Sequence, residues 1–269
     1  MGSDHMYHLG FGHGDFPEDS LPRYALISGD PDRAKLIADH SEVTLVKTLS
    51  ENRGLCSYLC LNADGRPFLS LTSGMGGPSL SIVINELCQL GCIDTVIRVG
   101  TCGAVQPHIK AGDIIVSIAA VNHQGSARDI VGEGYPCVAD PFLVVRLVET
   151  AERLGLPCHH GITASTDTFY EGQERTASSA NKQLTRRNHG LIDELRHLNV
   201  LNLEMEAATL FAQANVYGFS AGCVTAVLAE RSEKGEKPIG AVKEKAVERA
   251  VQIALASMIE SKDEHIIEA

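Results

Sequence analysis

The chain has 269 residues, 44% of them apolar and 21% charged, a globular composition able to fill a sizeable core. Its formal net charge of -11 argues against a general nucleic-acid or membrane-surface binder, since both need a basic face. The longest apolar runs are too short to span a bilayer, and no basic-then-apolar leader opens the sequence, so a cytoplasmic protein is expected.

Residues 1–6, Met-Gly-Ser-Asp-His-Met, read as a cloning remnant, leaving residues 7–269 as one domain. Residues 24–27 form a short apolar strand. Ser28-Gly29-Asp30-Pro31-Asp32-Arg33 follows, with Asp30 as N-cap and Pro31 at the first position of a helix that reaches residue 40. Residues 53–61 and 67–72 read as a hairpin around Asp64-Gly65. Ser73-Gly74-Met75-Gly76-Gly77-Pro78 opens a helix over 79–90. The β-branched run at 95–99 ends in Gly100-Thr101-Cys102-Gly103, which reads as a buried strand entering a tight glycine loop. A strand is predicted at 113–121, an amphipathic helix at 141–154 closed by Gly155, and a strand at 160–164. Helix over 182–197, a short strand at 200–203, helix over 206–217, an apolar strand at 220–228 and a long helix over 239–261 complete the chain. The alternation predicts a single three-layer α/β/α domain with a mixed central sheet.

The eight cysteines form no Cys-x-x-Cys pair. Cys158-His159-His160 has no second ligand pair at zinc spacing, so no metal is expected and the thiols read as free and mostly buried.

Several stretches carry chemistry. Gly29 to Arg33 sets a glycine at a strand end and an arginine in a first helical turn, where anions are favoured. Arg98 and Thr101 add a charged fork and a hydroxyl suited to an oxyanion. Gly172-Gln173-Glu174-Arg175, after Phe169-Tyr170, offers an amide and a guanidinium beside an aromatic ring, enough to read a planar base. Glu204-Met205-Glu206 provides carboxylates that can accept from a diol such as ribose. Each stretch alone equally fits an ordinary capped turn, polar loop or acidic helix start. Together they imply phosphate, base and ribose.

The set resembles the nucleoside phosphorylase-I family, on its uridine-cleaving branch. The resemblance rests on Gly29-Asp30-Pro31-Asp32-Arg33, Gly74-Met75-Gly76-Gly77-Pro78-Ser79, Arg98-Val99-Gly100-Thr101-Cys102-Gly103, Ala104-Val105-Gln106-Pro107, Asp167-Thr168-Phe169-Tyr170, Gly172-Gln173-Glu174-Arg175 and Glu204-Met205-Glu206, in family order over nearly the whole chain.

The resemblance implies reversible phosphorolysis of uridine to uracil and ribose 1-phosphate, with inorganic phosphate as co-substrate and no cofactor. Gly29, Arg33, Arg98 and Thr101 would bind phosphate, with Arg53 lent by a neighbouring subunit. Glu204, Met205 and Glu206 would hold ribose, and the neighbour's His8 would reach its 5′-hydroxyl. Phe169, Gln173, Arg175 and Arg231 would serve the base. Arg98, Glu206 and Arg175 would carry catalysis by positioning and charge stabilisation, without a covalent nucleophile. A homo-oligomer of dimers with shared sites, dimer or hexamer, follows from the same resemblance.

Some positions depart from the family pattern. Gly54 stands where a glutamate that helps bind a monovalent cation is frequent, which puts such a site in doubt. Glu230 replaces a usual asparagine, and Asn122 and Gln124 replace an Arg and an Asp. An acidic residue near the last strand is a feature of purine-cleaving members, so purine nucleoside phosphorolysis is the alternative within the fold. A non-catalytic nucleoside-binding protein is the alternative outside enzymes.

Overall fold

The structure is a computed structural model that describes residues 5–17, 20–232, 235–238 and 243–258. Eleven strands among the described residues form one mixed sheet. β1 (Tyr24–Ser28) lies between β5 (Thr95–Ala104) and β4 (Pro67–Thr72), parallel to both. Beyond β4 the antiparallel β3 (Ser57–Leu61) and β2 (Thr44–Ser50) form the edge.

On its other side the sheet closes on itself. β5 pairs parallel with β10 (Ser220–Ser232), which pairs antiparallel with β6 (Ile114–His123). β6 runs parallel to β8 (Cys158–Thr166), β8 to β9 (Asn202–Glu204), and β9 returns antiparallel to β5. Cys102, Ile115, Leu201 and Val227 fill part of a small core of their own. The short β7 (Cys137–Val138) and β11 (Gly235–Pro238) extend β6 and β10.

Helices cover both faces, as expected. α2 (Gly77–Gln89) and α6 (Ala207–Tyr217) pack on one core through Leu80, Ile84 and Phe211. α1 (Pro31–Ala38), α4 (Pro141–Arg153) and α7 (Lys243–Ser257) pack on the other through Ile37, Leu147 and Val251. Within β1, Ala25 and Ile27 face the first core and Leu26 the second. Burial on both faces explains why strands such as β1 read as continuous apolar runs rather than as alternation.

Several expectations are corrected. Residues 95–104 form one uninterrupted strand, so Gly100 and Gly103 sit inside β5 and not in a glycine loop. Arg53 does not begin a strand. It lies in a single 3-10 turn, Asn52–Gly54, with a left-handed φ of 55°. The helix expected over 182–197 is only α5, Leu191–His197, because Gly190 precedes it at φ 76° and the segment before it is loop with one 3-10 turn. β2 and α3 (Gly125–Val131) were not foreseen. Residues 239–242 and 259–261 of the expected last helix lie outside the described residues. Met6, grouped with the cloning remnant, hydrogen-bonds the Phe11 carbonyl and packs on the first core.

Candidate active site

A cavity of about 490 Å³ opens where β1, β5, β8 and β9 hand over to their loops. Gly29, Arg33, Arg98, Thr101, Phe169, Gln173, Arg175, Glu204, Met205 and Glu206 all line it. Residues far apart in sequence thus meet at one place, as strand ends do in open α/β sheets. A larger groove of about 750 Å³ between α1 and α7 shares Asp30, Arg33 and Lys243 with it, but holds none of the base or ribose candidates.

One end of the cavity is built for an anion. Asp30 caps α1 by accepting from the Asp32 amide at 3.0 Å, which puts Arg33 in the first turn, buried. Arg33 Nη1 donates to Ser28 Oγ at 3.1 Å and to the Val99 carbonyl at 3.3 Å. Burial, and then the neighbouring Arg98 cation, pull the Arg33 guanidinium down to about 10. Arg98 rises from the middle of β5. Its Nε donates to Glu204 at 3.0 Å and its Nη2 pairs with Glu206. Burial opposes its charge, but Glu206 and Glu204 outweigh burial and hold it more firmly protonated than usual. Arg33 Nε and Arg98 Nη1 are buried N–H groups with no protein acceptor. Two adjacent cations with donors to spare suit a phosphate.

The two carboxylates differ. Glu204 accepts from Arg98 Nε, Ser165 Oγ at 2.5 Å, and the amides of Glu206 at 2.8 Å and Ala207 at 2.9 Å. Its oxygens are used in shaping the start of α6. Glu206 accepts from the Gly76 amide at 2.6 Å through Oε1 and from Arg98 through Oε2. Burial raises the Glu206 carboxyl above the ordinary range against the pull of Arg98. The glycine-rich segment before α2 thereby finds its purpose: Gly76 presents a bare amide to Glu206.

The other end is flat and aromatic. Phe169 stacks on the Arg175 guanidinium, 3.9 Å from ring centroid to Cζ. Gln173 is buried, with Oε1 accepting from Arg175 Nε at 3.2 Å and Nε2 donating to Thr166 Oγ1 at 3.1 Å. Arg231 does not line the cavity but stands behind it, its Nη2 donating to the Gln173 carbonyl at 2.5 Å. Burial first, then Arg231, lower Arg175 to about 10. Gly103 faces both arginines. A Cβ there would stand 3.4 Å from Arg231 Cγ and 3.5 Å from Arg175 Nη2.

Two predicted residues are not brought to this cavity within the chain. His8 Nδ1 bonds Glu86 at 2.6 Å and lines a separate cavity of about 370 Å³. Arg53 is exposed, its guanidinium 5.3 Å from the Tyr7 ring. Asn52 Nδ2 donates to the His8 carbonyl at 2.8 Å, so the two lie in one surface region. Glu230 does not point into the cavity either. It accepts from the Ala111 amide at 3.2 Å and lies 3.6 Å from Lys110 Nζ. The acidic group that kept a purine-type mechanism open is therefore committed elsewhere.

Sequence reasoning missed Ser28, Ser165 and Thr166, which orient Arg33, Glu204 and Gln173. Only their places at the ends of β1 and β8 pointed toward a site. Among the described residues, no group of three or more His, Cys, Asp or Glu side chains is placed to hold a metal ion, and no helix is long and apolar enough to cross a membrane.

Comparison with known proteins identifies the family. The family described as Phosphorylase superfamily matches residues 23–260. A uridine phosphorylase of Thermococcus kodakarensis is 41% identical over 251 residues, covering 90% of this chain and 85% of its own. The Escherichia coli uridine phosphorylase is 37% identical over 234 residues, 87% of this chain and 89% of its own. A guanosine phosphorylase of Halorubrum lacusprofundi is 33% identical over 246 residues, 88% of this chain and 93% of its own. Matched by the family over residues 23–260, the chain belongs to the phosphorylase superfamily.

Proposed function

We propose that this chain catalyses the reversible phosphorolysis of uridine, giving uracil and ribose 1-phosphate. The observation that carries the reading is the pairing of Arg33 and Arg98, two buried guanidiniums with spare donors on one cavity, with the Gln173–Arg175 wall across it. A hydrolase has no use for the first feature, and a plain anion site has none for the second.

In this reading phosphate sits against Arg33, Arg98, Gly29 and Thr101. An anion there offsets the burial and the Arg98 repulsion that lower Arg33. Glu206 and the Met205 turn take the ribose hydroxyls, and Glu204 keeps Arg98 aimed. A phosphate oxygen attacks C1′ as the N-glycosidic bond breaks, so positive charge grows on the sugar and negative charge on the departing uracil. Arg175, steadied by Phe169 and Gln173, stabilises that negative charge, and Arg231 holds Gln173 from behind. Pre-aimed charges of this kind supply much of a rate enhancement. In this reading phosphate is itself the nucleophile, and no cofactor is called on.

The reading extends to assembly and location. His8 and Arg53 share one face away from their own cavity, which suits donation to a second copy across a two-fold interface. The eight free cysteines fit a reducing compartment such as the cytoplasm.

The test is a panel of uridine, thymidine, 2′-deoxyuridine, inosine and guanosine, each with and without phosphate, followed by base release. Uracil released from uridine only when phosphate is present is the expected result. Release without phosphate, or faster cleavage of inosine or guanosine, overturns the reading.

A further inference from the structure

We infer that Gln124 is a positioning residue that locks the ribose end of the cavity. The inference rests on the placement of ribose at Met205 and Glu206 described above. Gln124 is fully buried at the corner between β6 and α3, and it does not line the cavity. Its Oε1 accepts from the Thr209 amide at 3.2 Å and from Thr209 Oγ1 at 2.8 Å. Its Nε2 donates to the Met205 carbonyl at 2.5 Å. The orientation has only one chemical solution. A backbone amide can only donate, so the oxygen must face Thr209, and the NH₂ must then face the Met205 carbonyl.

One carboxamide thus clamps the turn carrying Met205 and Glu206 onto the first turn of α6. The same corner reaches the base end. The amide of Gly125 donates to Asp167 Oδ2 at 2.8 Å, at the head of the loop that bears Phe169, Gln173 and Arg175. The two cavity walls are therefore tied to consecutive residues. A buried side chain that satisfies an otherwise stranded carbonyl controls where that carbonyl sits. Small errors in such placement are amplified at a reacting centre.

The test uses the full chain with Gln124→Glu and Gln124→Met. Glutamate keeps an acceptor for Thr209 but loses the donor to Met205. Methionine keeps the volume without either bond and without a buried charge, which protects the experiment if the first variant fails to fold. Both are expected to raise the KM for uridine about tenfold, leave the KM for phosphate within about twofold, and speed amide exchange at Glu206 and Ala207. A merely structural role would lower Tm and move both KM values together or neither. That result, or unchanged exchange at Glu206 and Ala207, overturns the assignment. A wild-type protein that releases no uracil would sink the functional reading instead, while the exchange measurement still decides the role of Gln124.

Discussion

Gly100 is the space into which Arg98 folds. Residues two apart on a strand share a face, and a Cβ at 100 would stand 2.9 Å from Arg98 Nη2 and 3.0 Å from its Cζ. Thr225 Cγ2, on the neighbouring strand, would stand at 3.2 Å. The guanidinium cannot yield cheaply, because Glu204 and Glu206 hold it. Gly100→Ala is expected to raise the phosphate KM by at least about tenfold, since a charge-assisted donor is pushed off line. Initial rates with phosphate varied at saturating uridine check this, and an unchanged phosphate KM would detach Arg98 from the anion.

Arg98 itself ties catalysis to stability. Arg98→Ala removes a phosphate donor, expected to cost on the order of 10²–10³ in turnover. It also leaves Glu204 and Glu206 buried without their cation, a loss of about 3–5 kcal/mol. Kinetics and denaturant unfolding of the same preparation separate the two effects. Near-normal turnover at low phosphate would exclude Arg98 from the reaction.

The base wall should respond differently. Gln173→Ala and Arg175→Ala are each expected to weaken uridine affinity by roughly 10- to 100-fold while the phosphate KM moves little, because a site built for hydrogen bonds loses most when those bonds go unmade. Phosphate affinity falling as far as uridine affinity would show that the wall is a structural support.

Glu86 gives a pH signature. It accepts from the amides of His8, at 3.1 Å, and Leu9, at 2.8 Å, and from the His8 ring. Burial raises its carboxyl, but the Leu9 and His8 bonds outweigh burial and the net direction is down. A carboxylate held below its unfolded value stabilises the fold above that value, about 4.3, and loses the contribution as pH falls through the folded value. Glu86→Gln should therefore flatten the loss of stability as pH falls below about 4.3. Urea midpoints across that window are the measurement, and parallel curves for wild type and variant would contradict it.

The shared-site proposal has a test of its own. Arg53→Ala and Arg98→Ala should each be poorly active, and mixing them under conditions of subunit exchange should restore activity, because a mixed dimer contains one site with neither lesion. No recovery despite demonstrated exchange, or full activity in a verified monomer, rules sharing out.

Most strands of the sheet, the single α/β domain and most of the groups that meet at the cavity were legible in the sequence. Arg33, Arg98, Gln173, Arg175 and Glu206 were legible because a capped first turn, a charge in an apolar run and a Gln/Arg loop are local patterns set by backbone geometry and side-chain chemistry. What those patterns mean emerged from the packing. Gly100 is a glycine because Arg98 packs against it, not because the chain turns there, and Gly103 likewise lies within the strand. Glu204 and Glu206 look alike in sequence and both line the cavity, yet Glu204 is held by Arg98, Ser165 and the start of α6 while Glu206 is held by Arg98 and the Gly76 amide. Glu230 could be assigned only once its contacts with Ala111 and Lys110 were seen. The carboxylates share one physical reason. Close approach and hydrogen-bond saturation depend on which distant backbone stands within about 3 Å, and no local pattern encodes that distance.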